Sequence, residues 1–312
     1  MVSVPKTNPI PKLSIVVPVH GDPAAFESTL ISVLENQPSG SEVIVPHDGS
    51  YQDPFQLADE IRLVVSPSRE IRDLYAIAAH HARGRFVHLL GSGLRATDGW
   101  TDAAIKAFDH FDTAAVASVI RSNEGHGIMA AGWKNSVQRL CHPSTSVPQN
   151  AGYSTKCIGA YLQASFWRRD VLRSLDSAFQ GKNLAETAMV YHFLIQQAGW
   201  RTELAIDSHV ICDQASLAWD TSSLRRGMRL AAIRNHFSRS SSTQTLLAGV
   251  VACATSLVKP NYLMESIGQL FSPLAEKVSP QIDPESVLAC DEQGMLVPLS
   301  RRDSSVSTRR AA

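Results

Sequence analysis

The residues with chemical potential in this 312-residue chain fall in a few short stretches. In Pro46-His47-Asp48-Gly49-Ser50, an ionised Asp48 can accept strongly from an N–H donor. It can equally close its own turn, since Asp-Gly-Ser is ordinary turn chemistry. Gly91-Ser92-Gly93 can present backbone amides to a phosphate or form a plain tight turn. Arg95 follows at once, with Asp98 behind it, and could bring positive charge to the same place or simply sit in solvent. Glu186 stands at the start of a predicted helix. It can take a proton from a hydroxyl within hydrogen-bond reach, or it can do no more than favour the helix's positive end. His47, beside the Asp48 turn, is expected as a surface or hydrogen-bonded histidine. His209, Cys212 and Asp213 lie close in sequence, but their spacing fits no established metal site, so they are expected to be structural.

Alternating strands and helices must carry these residues. Residues 13–19 form a nearly continuous apolar run, which predicts a strand buried on both faces. Asp22 and Pro23 predict a helix start, with Phe26, Leu30, Val33 and Leu34 recurring at helical spacing. Short strands are predicted at 43–45 and 63–65, a helix at 71–83 and a strand at 86–90, so that Asp48 and Gly91 each follow a strand end. A helix at 100–111 and a strand at 114–120 come next. The stretch 121–156, rich in Gly, Ser, Asn and Pro, has no sustained period and reads as an excursion over the sheet's open end. Regularity returns with a strand at 159–166, helices at 168–175 and 184–198, and a strand at 202–206. Helices at 224–237 and 245–258 complete the pattern, and residues 278–312 read as a disordered tail.

Composition excludes several functions. With 44% hydrophobic residues the chain can bury a real core. Its 29 basic and 29 acidic residues give no global field for nucleic acid or an anionic membrane. Five widely spaced cysteines, none in a Cys-Xaa-Xaa-Cys pair, suit a reducing cytosol. The N-terminal stretch 1–11 lacks the apolar core of a signal peptide, and 246–258 is shorter than the roughly 20 residues a spanning helix needs. The expected location is the cytoplasm. The helix from Leu224 to Phe237 carries Arg225, Arg226, Arg229 and Arg234 among apolar residues. It fits either peripheral contact with the inner membrane face or an ordinary docked helix with solvated arginines.

Three motifs in order carry a resemblance. Ser14-Ile15-Val16-Val17-Pro18-Val19-His20-Gly21, the Pro46 to Ser50 step, and Ala82-Arg83-Gly84-Arg85-Phe86 leading to Gly91-Ser92-Gly93 resemble the family 2 glycosyltransferases. The likeness covers about 12–213. It implies an α/β GT-A fold: a Rossmann-like, mostly parallel sheet flanked by helices, with a nucleotide-binding half at 12–120 and an acceptor-side half at 121–213. A C-terminal helical extension at 214–277 would follow. By the same likeness, Pro18, Val19, His20, Asp48 and Gly49 frame the donor nucleotide, and Gly91, Ser92, Gly93 and Arg95 meet its diphosphate. The chain departs from the family where the chemistry should be. Gly91-Ser92-Gly93 replaces a metal-binding acid pair, Tyr75 and Ala76 stand where an Arg-Asn pair is usual, and Thr187 replaces the customary base, leaving Glu186 as the catalytic candidate. The resemblance therefore implies transfer of a sugar from a nucleotide-diphosphate donor to a glycan or other hydroxyl acceptor, with no metal and no organic cofactor. The alternative is an inactive protein of the same fold that binds a nucleotide, a glycan or a partner protein. A dinucleotide-binding domain is disfavoured, because no Gly-Xaa-Gly-Xaa-Xaa-Gly follows the first strand.

Overall fold

The apolar run at the N-terminus becomes β1 (Leu13–Val16), buried at all four positions. It lies parallel between β2 (Ser41–His47) and β4 (Phe86–Leu90), with β3 (Ile61–Val65) parallel on the outside of β2. The computed structural model describes residues 10–275 except 55, 58–59, 126, 148–154, 180, 182, 239–241 and 258–259. Beyond 275 it describes only the antiparallel pair Ala289–Cys290 and Leu296–Val297, so the expected tail otherwise lies outside the described residues.

Between the parallel strands run α1 (Pro23–Glu35) and α2 (Ile71–His81). Asp22 caps α1 by accepting from the Ala25 amide, as Asp-Pro predicts. Past β4 the sheet continues as β11 (Ala164–Arg168), β6 (Thr113–Ser122), β12 (Arg201–Cys212) and β10 (Thr155–Lys156). β11 is antiparallel to both β4 and β6, whereas β6 and β12 are parallel. The two expected halves thus share one sheet. Short strands β5 (Leu94–Ala96) and β7 (Ile128–Ala131) add to β12 and β6, and β8 (Trp133–Lys134) pairs with β9 (His142–Pro143).

The helix expected over 100–111 is only α3 (Asp102–Ala107), because Phe108 leaves it to stack on Phe86, centroids 4.4 Å apart. The strand expected from 159 begins only at Ala164, and Arg168 ends it by donating to the carbonyls of Phe108, His110 and Thr113. His88 stands in the middle of β4, fully buried, stacked 3.8 Å from Phe166 and edge-on to Trp100. Burial pushes its imidazole down to about 3, offset only in part by the Ser165 backbone, so it serves as a neutral aromatic plate.

Two further helices, α4 (Arg169–Ala178) and α5 (Leu184–Gln197), cover the sheet. The C-terminal α6 (Leu224–Ser238), α7 (Ser242–Ser256) and α8 (Leu263–Leu270) pack beside them. α6 and α8 cross at backbone contact: a Cβ on Gly227 would lie 2.0 Å from the Glu265 carbonyl oxygen, and one on Gly268 2.0 Å from that of Leu224. Leu230, Ala231 and Ile233 of α6 are buried, and Arg226 and Arg229 turn inward rather than to solvent. Among the described residues no helix is long and apolar enough to cross a membrane.

Candidate functional site

In the strand order β3-β2-β1-β4, the helix connections leave β1 in opposite directions on its two sides, and ligands of open α/β sheets bind at the carboxyl ends of strands at such a point. A cleft of 510 Å³ lies there. Its floor includes the loop after β1 (His20, Gly21) and the loop after β4 (Gly91 to Gly93), and its walls include the starts of α1, α2, α5 and α6. A wider depression of 940 Å³ sits at the amino ends of the strands, around Glu42. That carboxylate is already satisfied by the Ser14 hydroxyl at 2.6 Å, the Arg83 amide at 2.7 Å and the Arg83 and Arg62 guanidinium groups, which leaves the carboxyl-end cleft as the candidate.

Gly91 closes the cleft floor in a tight spot, where an added Cβ would lie 3.0 Å from Gln163 Cβ. Gly93 takes a φ of +88°, which favours glycine. Two of the three loop amides expected to meet a phosphate are engaged within the fold. The Gly91 amide donates to the Gln163 carbonyl at 2.9 Å, and that of Gly93 to Thr29 Oγ1 at 2.9 Å and the Ala25 carbonyl. Ser92 Oγ donates to the Pro18 carbonyl at 2.9 Å, so three of the loop's donors are held inside the fold. Arg95 does not line the cleft. Its guanidinium forks onto Asp213 at 2.8–3.0 Å and reaches Asn123 Oδ1 at 3.1 Å.

Glu186 does line it. α5 opens with a reciprocal cap: Asn183 Oδ1 accepts from the Glu186 amide at 2.9 Å, and Asn183 Nδ2 donates to Glu186 Oε1 at 2.6 Å. Arg229 Nε lies 2.5 Å from the same oxygen. The carboxylate is 0% exposed, and Oε2 has no partner. Thr187 donates to the Asn183 carbonyl and takes no part in the cleft.

Of the expected nucleotide residues, His20 lines the cleft, and Pro18 and Val19 lead into it; the Val19 amide bonds the Pro46 carbonyl, which brings the ends of β1 and β2 side by side. Asp48 and Gly49 lie at the end of β2, outside the cleft lining. Asp48 accepts from the Ser50 hydroxyl and amide and pairs with Arg69, contacts that hold its carboxyl down at about 2. His47 accepts from the Gly49 amide through Nδ1 at 3.1 Å. His209 bonds Arg121 through Nε2 at 3.0 Å and faces the Asp207 carbonyl, away from the cleft.

Several lining residues escape a reading of the sequence. Gln163 is 2% exposed with Oε1 unpartnered; its only signal is a polar residue in an apolar strand pattern. Arg226 is 8% exposed and belongs to a buried network. Its Nη1 pairs with Glu265 and its Nη2 donates to the Cys141 carbonyl at 2.8 Å, while Arg139 joins Glu265 at 3.0 Å to Asp220 at 2.8 Å. Arg226 Nε and Trp219 Nε1 are buried on the cleft without partners. Tyr75, where the resemblance would put an arginine, lies outside the cleft lining, buried with its hydroxyl unpartnered 3.5 Å from where a Gly91 Cβ would be.

A divalent metal, which the acid pair usual in the resembled family would bind, does not fit these residues. The loop after β4 has no carboxylate, and among the described residues no group of three or more His, Cys, Asp or Glu could hold an ion.

No protein-family model matches the sequence, and no curated protein matches it. Among solved structures, the chain is similar to GalNAc-T7 with UDP, GalNAc and Mn2+, with a TM-score of 0.53 and 14% identity, covering 72% of this chain and 48% of that one. It thus spans about half the length of the GalNAc-T7 chain. It is also similar to residues 1–349 of S. aureus TarS in complex with UDP-GlcNAc, with a TM-score of 0.50 and 14% identity, covering 78% of this chain and 71% of that one. The fold is that of the GT-A glycosyltransferases.

Proposed function

We propose that this chain is a family 2-like, inverting glycosyltransferase that binds a nucleotide-diphosphate sugar in the cleft beyond β1 and β4. It transfers the sugar to a hydroxyl acceptor without a metal ion. The observation that carries this is the Glu186 carboxylate, buried on the cleft wall with one oxygen fixed and the other free. The attacking acceptor oxygen forms its bond to the anomeric carbon as the bond to the diphosphate breaks, and the hydroxyl proton passes to Glu186 Oε2. Pro18, Val19 and His20 frame the nucleotide, and the permanently ionised Asp48 beside Gly49 offers an acceptor to a nucleobase N–H by exchanging its Arg69 contact. GalNAc-T7 and TarS were solved with UDP and UDP-GlcNAc respectively, which supports a donor of this class.

A specific contact favours a second function, binding without transfer. Arg229 and Asn183 both hold Glu186 Oε1, an ion pair and a helix cap that give the carboxylate a structural role needing no substrate. Glu186→Gln separates the two, since glutamine serves at this helix position as well as glutamate. We expect donor affinity to change by less than about twofold and turnover to fall about 100-fold or more. Turnover equal to wild type removes Glu186 from the chemistry. Donor binding with no turnover in either protein, across glycan and small hydroxyl acceptors, establishes the binding-only function.

A further inference from the structure

A donor diphosphate brings negative charge into a cleft where, among the described residues, no three His, Cys, Asp or Glu group to hold an ion, and most of the donors expected to meet it are engaged elsewhere. The loop after β4 has bonded its Gly91 and Gly93 amides and its Ser92 hydroxyl inside the fold. Arg95 has its guanidinium on Asp213 and Asn123. The compensating charge must come from another wall.

The start of α6 is that wall. Ser223, Arg225 and Arg226 all face the cleft, and the 15-residue helix points the positive end of its dipole there, with Ser223 Oγ capping the Arg226 amide at 3.1 Å. Arg225 is exposed there and has no ion-pair partner among the described residues. A second observation points to a ligand independently of the helix end. Arg226 Nε and Trp219 Nε1 are buried donors on the same wall with nothing to donate to. Buried donors are almost always satisfied, and what these lack is an acceptor. Phosphate oxygens accept and never donate, and an arginine fork matches them in two-pronged geometry.

The carboxylates of the cleft oppose such a ligand unevenly. Asp22 is engaged in capping α1, and Glu186 is held by Asn183 and Arg229. Glu70, exposed before α2, makes no capping bond and is the acid free to repel.

We propose that Arg225, with the Arg226 and Trp219 donors at the start of α6, forms a metal-independent diphosphate subsite. This rests on the cleft being the donor site, and it names the residues that stabilise the leaving diphosphate. Arg226 is braced by Glu265, so it is fixed in place, whereas Arg225 is free to close over the ligand.

The test is calorimetric titration of the full chain in EDTA with inorganic pyrophosphate, a nucleoside diphosphate and the bare nucleoside, for wild type, Arg225→Ala and Glu70→Gln. Arg225→Ala is expected to weaken pyrophosphate and nucleoside diphosphate about tenfold or more, leaving the nucleoside unchanged. Glu70→Gln is expected to tighten both phosphorylated ligands. Equal pyrophosphate affinity in wild type and Arg225→Ala overturns the subsite. If nucleotide sugars still bind in that case, the donor cleft stands without it. Pyrophosphate binding that Arg225→Ala abolishes, in a protein that binds no nucleotide, keeps the subsite and overturns the donor function.

Discussion

Asp48 is ionised at any ordinary pH, because two bonds from Ser50 and the Arg69 guanidinium hold its carboxyl at about 2. At the residue scale it is the sharpest test of the proposed nucleobase contact. Asp48→Asn keeps a side-chain oxygen for the Ser50 bonds and removes the charge, so it should weaken nucleotide binding about tenfold in a titration while the fold holds. His209→Ala should leave affinity unchanged, since His209 faces Arg121. Equal losses, or none, contradict the placement. Glu186 shows how far residue types can be read. The sequence marks it as a helix-start acid, and it is one, bonded to its Asn183 cap. That its second oxygen is left free on a cleft wall depends on Arg229, 43 positions on, and no local pattern carries that. The engagement of Arg95 by Asp213 is equally invisible, because it needs β5 and β12 to pair.

Elements differ in legibility for a physical reason. β1, β2 and β4 are apolar on both faces and read directly as buried parallel strands. α8 was not foreseen because its pattern is inverted: Glu265, Ser266 and Gln269 are buried while Met264 is exposed. Its buried face is polar because it meets Arg139, Arg226 and the Gln138 carbonyl, not a hydrophobic core. The three- and four-residue strands β5 and β7 are too short to show a period. The α6–α8 crossing is the joint that fixes Arg226, and it depends on glycine. In Gly268→Ala the new Cβ would meet Leu224 O at 2.0 Å and Met228 N at 2.8 Å, both backbone atoms that cannot rotate away. The helices must part, and we expect a loss of about 1–3 kcal/mol in chemical denaturation. Gly125→Ala, which meets nothing within 4 Å, should match wild type. A Gly268→Ala protein as stable as wild type would show that the crossing is not tight.

At the scale of the whole molecule, the strand order around β1 and β4 sets where a ligand can bind, and the C-terminal helices complete the cleft that the sheet opens. The alternation of apolar runs and helical periods made the first 90 or so residues legible. The second part was less so, because β11 and β12 insert beside β6 out of chain order, and their pairing is a long-range property. The proposed chemistry rests on this assembly: a GT-A fold in which no described group of three His, Cys, Asp or Glu could hold an ion, and a cleft walled in part by arginines from a helix outside the sheet. Calorimetric titration of the purified chain with uridine and guanosine diphosphates and their sugar conjugates, in EDTA and again with manganese, tests this most directly. We expect at least one sugar conjugate to bind in EDTA with an affinity that manganese leaves unchanged. Binding that appears only with manganese, or no binding under either condition, would contradict a metal-independent donor cleft.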